Sequence, residues 1–219
     1  MKRAVLFLLF FLAGCGGRED RPPPRPAGSK PVTLNLPTSR ETQACYADLS
    51  RQDVRYSPLP DRDYGGGCVV EGAVQLLDVG VPITNLKAIT CPLAHTLTGW
   101  LRYAVAPAAH QILGSDLIRV ETFGTYSCRG VIGRGAEGAR TISEHSFANA
   151  VDVSGFVLAD GRRIMILGGW KSEDPQVREF LEVIHKSACK RFQTVLSPDY
   201  NAAHYNHLHL DMGKGPFCR

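Results

Sequence analysis

The sequence predicts an α+β fold built on a mainly antiparallel sheet and stapled by disulfides. β-rich runs are joined by a hairpin signal, as where residues 150–158 and 162–167 flank Asp160-Gly161. Two other stretches repeat apolar residues at helical spacing. Helices mixed with hairpin-connected strands define the α+β class. Six cysteines remain after Cys15, an even set in a chain that carries an export signal.

The leader comes first in the chain. Lys2 and Arg3 precede an unbroken apolar run from Ala4 to Leu12. That run is far shorter than the ~20 residues a spanning helix needs, and small residues follow it, so residues 1–14 read as a secretory signal peptide. Leu12-Ala13-Gly14-Cys15 resembles the bacterial lipobox in all four positions. The resemblance implies cleavage before Cys15 and its lipidation. Each buried CH₂ contributes about 0.8 kcal/mol, so several acyl chains make a firm tether. Gly16 is not the aspartate associated with inner-membrane retention, which points to the periplasmic face of the outer membrane. Residues 15–43 are polar and broken by prolines, as in Arg21-Pro22-Pro23-Pro24-Arg25-Pro26, and read as a semi-rigid tether.

A single folded domain is expected over residues 44–219. Gly65 to Gly67 mark a tight turn before Cys68, and Val69 to Leu77 carries strand-like residues. Pro92 suits the first turn of a helix that continues through Leu93, Leu97, Trp100, Leu101 and Ala104, and Pro107 is placed to end or kink it. Leu117 to Phe123 alternates as a strand. Asp174-Pro175 caps a second helix with Val177, Phe180, Leu181, Ile184 and Ala188 on one face. A final strand runs through Leu208 and Leu210.

Composition excludes some functions. The net charge is +4, or about +2 once Lys2 and Arg3 are set aside, and the basic residues are dispersed. No arginine-rich arm with interleaved aromatics is present, so no nucleic acid is expected as a partner. The six cysteines Cys45, Cys68, Cys91, Cys128, Cys189 and Cys218 form no CxxC pair, and so read as structural disulfides rather than a cysteine zinc site. Fifteen connectivities are open to six cysteines. Pairing in chain order, Cys45–Cys68, Cys91–Cys128 and Cys189–Cys218, is the expectation.

Four of the seven histidines fall in two short segments. Read as a strand, the later segment puts His207, His209 and Asp211 on one face while Leu208 and Leu210 enter the core. The same alternation sets Asp152 opposite Val151 and Val153, with small Ala150 on its own side. Neutral imidazole and carboxylate are good Zn²⁺ ligands, and a catalytic zinc keeps three of them. His145, Asp152 and one of the C-terminal histidines supply such a set. A further histidine, free of metal, could take a proton from water.

From about Cys45 to Arg219 the chain resembles the bacterial extensin-like C-terminal domain family. The matching stretches include Thr90-Cys91-Pro92-Leu93, Gly124 to Arg129, Ser143-Glu144-His145, Ala150 to Val153 and Asp199 to Asp211. That family resembles the LAS metallopeptidases, among them D-Ala-D-Ala carboxypeptidases and the penicillin-insensitive murein endopeptidase. Their signature is a histidine and an aspartate seven positions apart, then a late histidine. Carried over, the resemblance implies zinc on His145, Asp152 and His209, with His207 as general base and His204 assisting. Tyr126 and Arg129 lie where those enzymes hold substrate, although Arg129 could instead make a structural salt bridge. The carboxypeptidases place a glutamate base three residues before the last zinc histidine, where this chain has Asn206, which favours the endopeptidase-like arrangement. Ala148 stands where those enzymes usually have glycine, which implies a minor packing change.

The leading reading is therefore zinc-dependent hydrolysis of peptide bonds in peptidoglycan stem peptides by a periplasmic lipoprotein. Two others remain: a non-catalytic module that binds wall peptides, and a structural envelope lipoprotein in which the histidines are incidental. Retention of His207 beside the ligand set favours the enzyme, because a pure binder needs no base.

Overall fold

The computed structural model describes Val32, Thr33 and residues 39–219 except residue 134. The expected signal peptide, the lipidation site Cys15 and most of the expected tether lie outside the described residues.

After β1 (Val32–Thr33), helix α1 (Arg40–Arg51) starts where Ser39 Oγ accepts the Thr42 N–H at 3.1 Å. Its first turn thus occupies residues read as tether. The Ser39 cap starts the helix and the disulfide from Cys45 to Cys91 holds it to the domain. Then come β2 (Arg55–Pro58), β3 (Arg62–Asp63), β4 (Val69–Val70), β5 (Ala73–Asp78) and β6 (Ala88–Thr90). The single strand expected over Val69 to Leu77 is two, because Gly72 turns the backbone at φ 57°. β4 pairs β3, itself paired with β1, while β5 pairs β2 and β6 in a second small sheet.

Helix α2 (Cys91–Trp100) passes through a π-helical turn (Leu101–Val105) into α3 (Ala106–Leu113). Pro107 does not end this helix, which runs on to Leu113. The Ala106 N–H reaches back to the Leu101 carbonyl across the π turn, just before the ring that lacks a donor. Next are β7 (Leu117–Gly124), α4 (Gly135–Arg140), β8 (Ala150–Leu158), β9 (Arg163–Met165), the short turn α5 (Ile166–Gly169) and α6 (Pro175–Cys189). The Asp174 carboxylate caps α6 by accepting the Gln176 N–H at 2.9 Å. The chain closes with β10 (Thr194–Leu196), β11 (Leu208–Asp211) and β12 (Phe217–Cys218).

The main sheet runs β12-β10-β11-β8-β7, with β9 also on β8. All its pairs are antiparallel except β10 with β12. Every residue of β8 is buried, flanked as it is by β7, β11 and β9, and Asp152 is its residue that reaches the cleft. Val151, Val153, Leu208 and Leu210 enter the core. Trp100 sits at its centre, fully buried, its indole N–H donating to the Ile184 carbonyl at 3.0 Å and its ring meeting Phe156 and Phe192 edge-on.

The disulfides differ from the expected pairing. Cys45 is bonded to Cys91 and Cys68 to Cys128, and only Cys189–Cys218 joins the cysteines expected. The reason is spatial. Packing of α1 against α2 brings Cys45 beside Cys91, and β4 with its flanking turn brings Cys68 to the segment after β7.

Candidate metal centre

Register builds the site. In the antiparallel pair of β8 and β11, His209 lies opposite Asp152 and Asp211 opposite Ala150. Directly opposed residues have Cβ atoms ~4.5–5.5 Å apart, so their polar groups can meet. His145 arrives from a 3₁₀ turn (Glu144–Phe147) capped by Ser143, and Ala148 then reverses the chain into β8. Ala148 does so at φ 54°, with its methyl buried in a small cluster with Val70 and Ala73. The reversal asks for a left-handed backbone, so an alanine in the expected place of glycine is a conformational matter more than a packing change.

Three ligand atoms converge. His145 Nε2 lies 3.1 Å from Asp152 Oδ1 and 3.2 Å from His209 Nδ1, and His209 Nδ1 lies 3.0 Å from Asp152 Oδ1. The opposite nitrogen of each imidazole is committed. His145 Nδ1–H donates to the Thr125 carbonyl at 3.0 Å, and His209 Nε2–H to the Asp211 carboxylate at 2.9 Å. In the neutral form that binds a metal, the two remaining nitrogens turn their lone pairs to the point Asp152 also faces; without a metal, a proton on His209 Nδ1 is donated to the carboxylate there instead. A tetrahedral zinc with bonds of ~2.0–2.1 Å holds its N and O ligands about 3.3–3.4 Å apart, so this donor set fits that ion with small adjustments. The outer hydrogen bonds are the kind that fix the tautomer of a metal-bound histidine.

Electrostatics agree. Burial opposes ionisation of Asp152, but hydrogen bonds from His145 and His209 outweigh it and hold the carboxyl well below the usual range. Burial likewise opposes charge on His209, yet Asp152 and Asp211 raise it to about 9. The cluster attracts positive charge, which a proton supplies in the absence of a metal ion.

His207 and His204 stand beside the triad. His207 Nδ1–H donates to Asn206 Oδ1 at 2.9 Å, leaving Nε2 free and 3.5 Å from Asp152 Oδ1. His204 Nδ1–H donates to Asn201 Oδ1 at 2.7 Å. Burial lowers both, His204 to about 4 with help from the charges of His207 and His209. Neutral imidazoles result, able to accept a proton. The face of this site opens into a cleft of about 620 Å³ with walls that include Arg129, Ile132, Leu196 and Phe217.

Five of the seven candidate site residues are thus together, and Arg129 lines the same cleft with no salt bridge among the described residues. Tyr126 is elsewhere. Its ring packs on Tyr64 at 4.8 Å and does not line the cleft. The Cys68–Cys128 bond anchors this segment beside β4, turning Tyr126 into the small cluster while Arg129 passes on to the cleft. Asp211 is a contributor whose role sequence reasoning missed, although strand alternation already set it on the His209 face. Asp211→Ala is expected to weaken zinc binding 10–100-fold with the fold intact, measured by chelator competition.

The fold and this centre define a class: a disulfide-bonded α+β protein with a buried histidine–aspartate cluster able to hold a metal, open to a ligand-sized cleft. The family described as extensin-like protein C-terminus matches residues 43–219, and the chain belongs to it. No curated protein and no solved structure matches the chain significantly. A second candidate metal cluster, His185 with Cys189 and Cys218, was also missed. Its signal was the four-residue spacing of His185 and Cys189 on one face of α6.

Proposed function

We propose that the protein is a zinc-dependent peptidase of the LAS type that cleaves peptide bonds in peptidoglycan stem peptides. The observation that carries this reading is a neutral base, His207, held with its free Nε2 beside a three-ligand cluster and facing an open cleft. A zinc ion on His145, Asp152 and His209 would supply Lewis acidity for amide hydrolysis. His207 Nε2 takes the proton of the attacking water and passes it to the leaving amine, with Asn206 fixing the ring. His204, fixed by Asn201, provides a second neutral imidazole at the same wall. Arg129, without a carboxylate partner among the described residues, offers its charge to a substrate carboxylate or carbonyl.

Export and lipidation at Cys15 would place the domain in the periplasm, at the inner leaflet of the outer membrane, within reach of the wall. Metabolic labelling with a palmitate analogue should mark the wild type and spare Cys15→Ser; equal labelling would remove the anchor.

A second reading, a wall-binding module without turnover, needs only the metal-ligand cluster and the open cleft beside it. Digestion of purified sacculi by the zinc-loaded protein separates the two. His207→Ala is expected to release muropeptides 10²–10⁴-fold more slowly at unchanged zinc content. Equal release by both proteins would remove His207 from the chemistry. Retention on sacculi without any release would establish the binding module.

A further inference from the structure

We propose that His185, Cys189 and Cys218 form a second metal site, of one-nitrogen two-sulfur chemistry, that is closed by the disulfide and opened when a dithiol reduces it. His185 and Cys189 sit one turn apart on α6, and Cys218 comes from β12. His185 Nε2 is 3.8 Å from Cys189 Sγ and 3.7 Å from Cys218 Sγ. A tetrahedral zinc, with Zn–S ~2.3 Å and Zn–N ~2.0–2.1 Å, separates nitrogen and sulfur ligands by about 3.5–3.6 Å. The imidazole is therefore already at ligand distance from both sulfurs. Its ring is held in place by the edge of Trp170, centroids 5.3 Å apart.

Accessibility selects this bond over the other two. Cys91 and Cys68 are 0% and 2% exposed, so each of the other disulfides has one partner deep in the core. Cys189 is half-buried and Cys218 exposed. A dithiol would deliver two electrons and two protons, leaving two cysteine thiols and becoming a disulfide itself. Binding of a soft or borderline divalent cation then releases both thiol protons to solvent. The oxidised bond has no thiolates and no affinity for the ion. The bond also fastens β12, whose Phe217 lines the main cleft and packs on Tyr200, itself against His204.

Cobalt(II) is the probe, added without oxygen after treatment with a dithiol and its removal. The reduced chain should take up one more cobalt than the oxidised chain and show a sulfur-to-cobalt charge-transfer band in the near ultraviolet. Asp152→Ala, which lacks the first site, should show the same band. Differential alkylation should find Cys189 and Cys218 free and the other four cysteines blocked. Cys218→Ser should abolish the band, and His185→Ala, which keeps the disulfide, should weaken cobalt binding about tenfold or more. Trp170 emission should change on binding in the wild type and not in His185→Ala. Free thiols at Cys189 and Cys218 without the band, release of other cysteines first, or unchanged affinity in His185→Ala would each overturn the proposal.

Discussion

Asp152→Ala should lose zinc almost completely, with affinity falling more than a hundredfold. One oxygen of this carboxylate lies within 3.1 Å of both His145 Nε2 and His209 Nδ1, and His207 Nε2 is the next nearest base. Among the described residues it is the one carboxylate in the three-ligand cluster, since Asp211 meets the far side of His209. Its loss removes a ligand and leaves imidazoles that repel a cation less well compensated. Competition against a chromophoric chelator measures the change, and a loss below tenfold would exclude Asp152 as a ligand.

The same variant should alter how stability depends on pH in the metal-free protein. His209 is raised to about 9, so its ion pair contributes fully below its unfolded value and is lost as pH rises through about 9. Asp152 is lowered, so its contribution is present above the ordinary carboxylate range and is lost as pH falls below it. Urea unfolding in chelator should show a plateau between these limits in the wild type. Asp152→Ala should make the alkaline fall shallower, since Asp211 alone then supports the charge on His209.

The second large effect concerns Cys68–Cys128. Its sequence separation of 60 is the longest of the three disulfides. Loop-closure entropy for such a span amounts to about 4 kcal/mol at 25 °C. The Cys68→Ala/Cys128→Ala double variant should lose stability of that order in urea unfolding, or about 10 °C in Tm. It should also bind zinc more weakly, because this bond anchors the segment whose Thr125 carbonyl fixes His145. A change below about 1 kcal/mol would mean that packing alone holds the segment.

Much of the site was legible because its parts are local. Alternation along Leu208 to Asp211 and Ala150 to Val153 sorts ligands from core residues without knowledge of the partner strand. The helix after Pro92 was also legible, but whether it ran on past Pro107 was not. That outcome depends on a π turn stabilised by packing of α3 on α6. The break at Gly72 was hidden for a similar reason, since β propensity runs through it and only a left-handed glycine divides the strand.

The sequence by itself determined the α+β class, the face of each strand that carries chemistry, and the histidines and aspartate able to hold a metal. The class and the strand faces follow from periodicities of two and 3.6 residues, which every chain segment carries alone, while the set of His145, Asp152 and His209 is what the family resemblance implies. Only the tertiary structure decided which cysteines bond, that His185 stands against Cys218, that Tyr126 turns away from the cleft, and that the Thr125 carbonyl fixes His145. Each of these is a contact between segments remote in sequence, and it is set by strand register and helix packing, which no single segment contains.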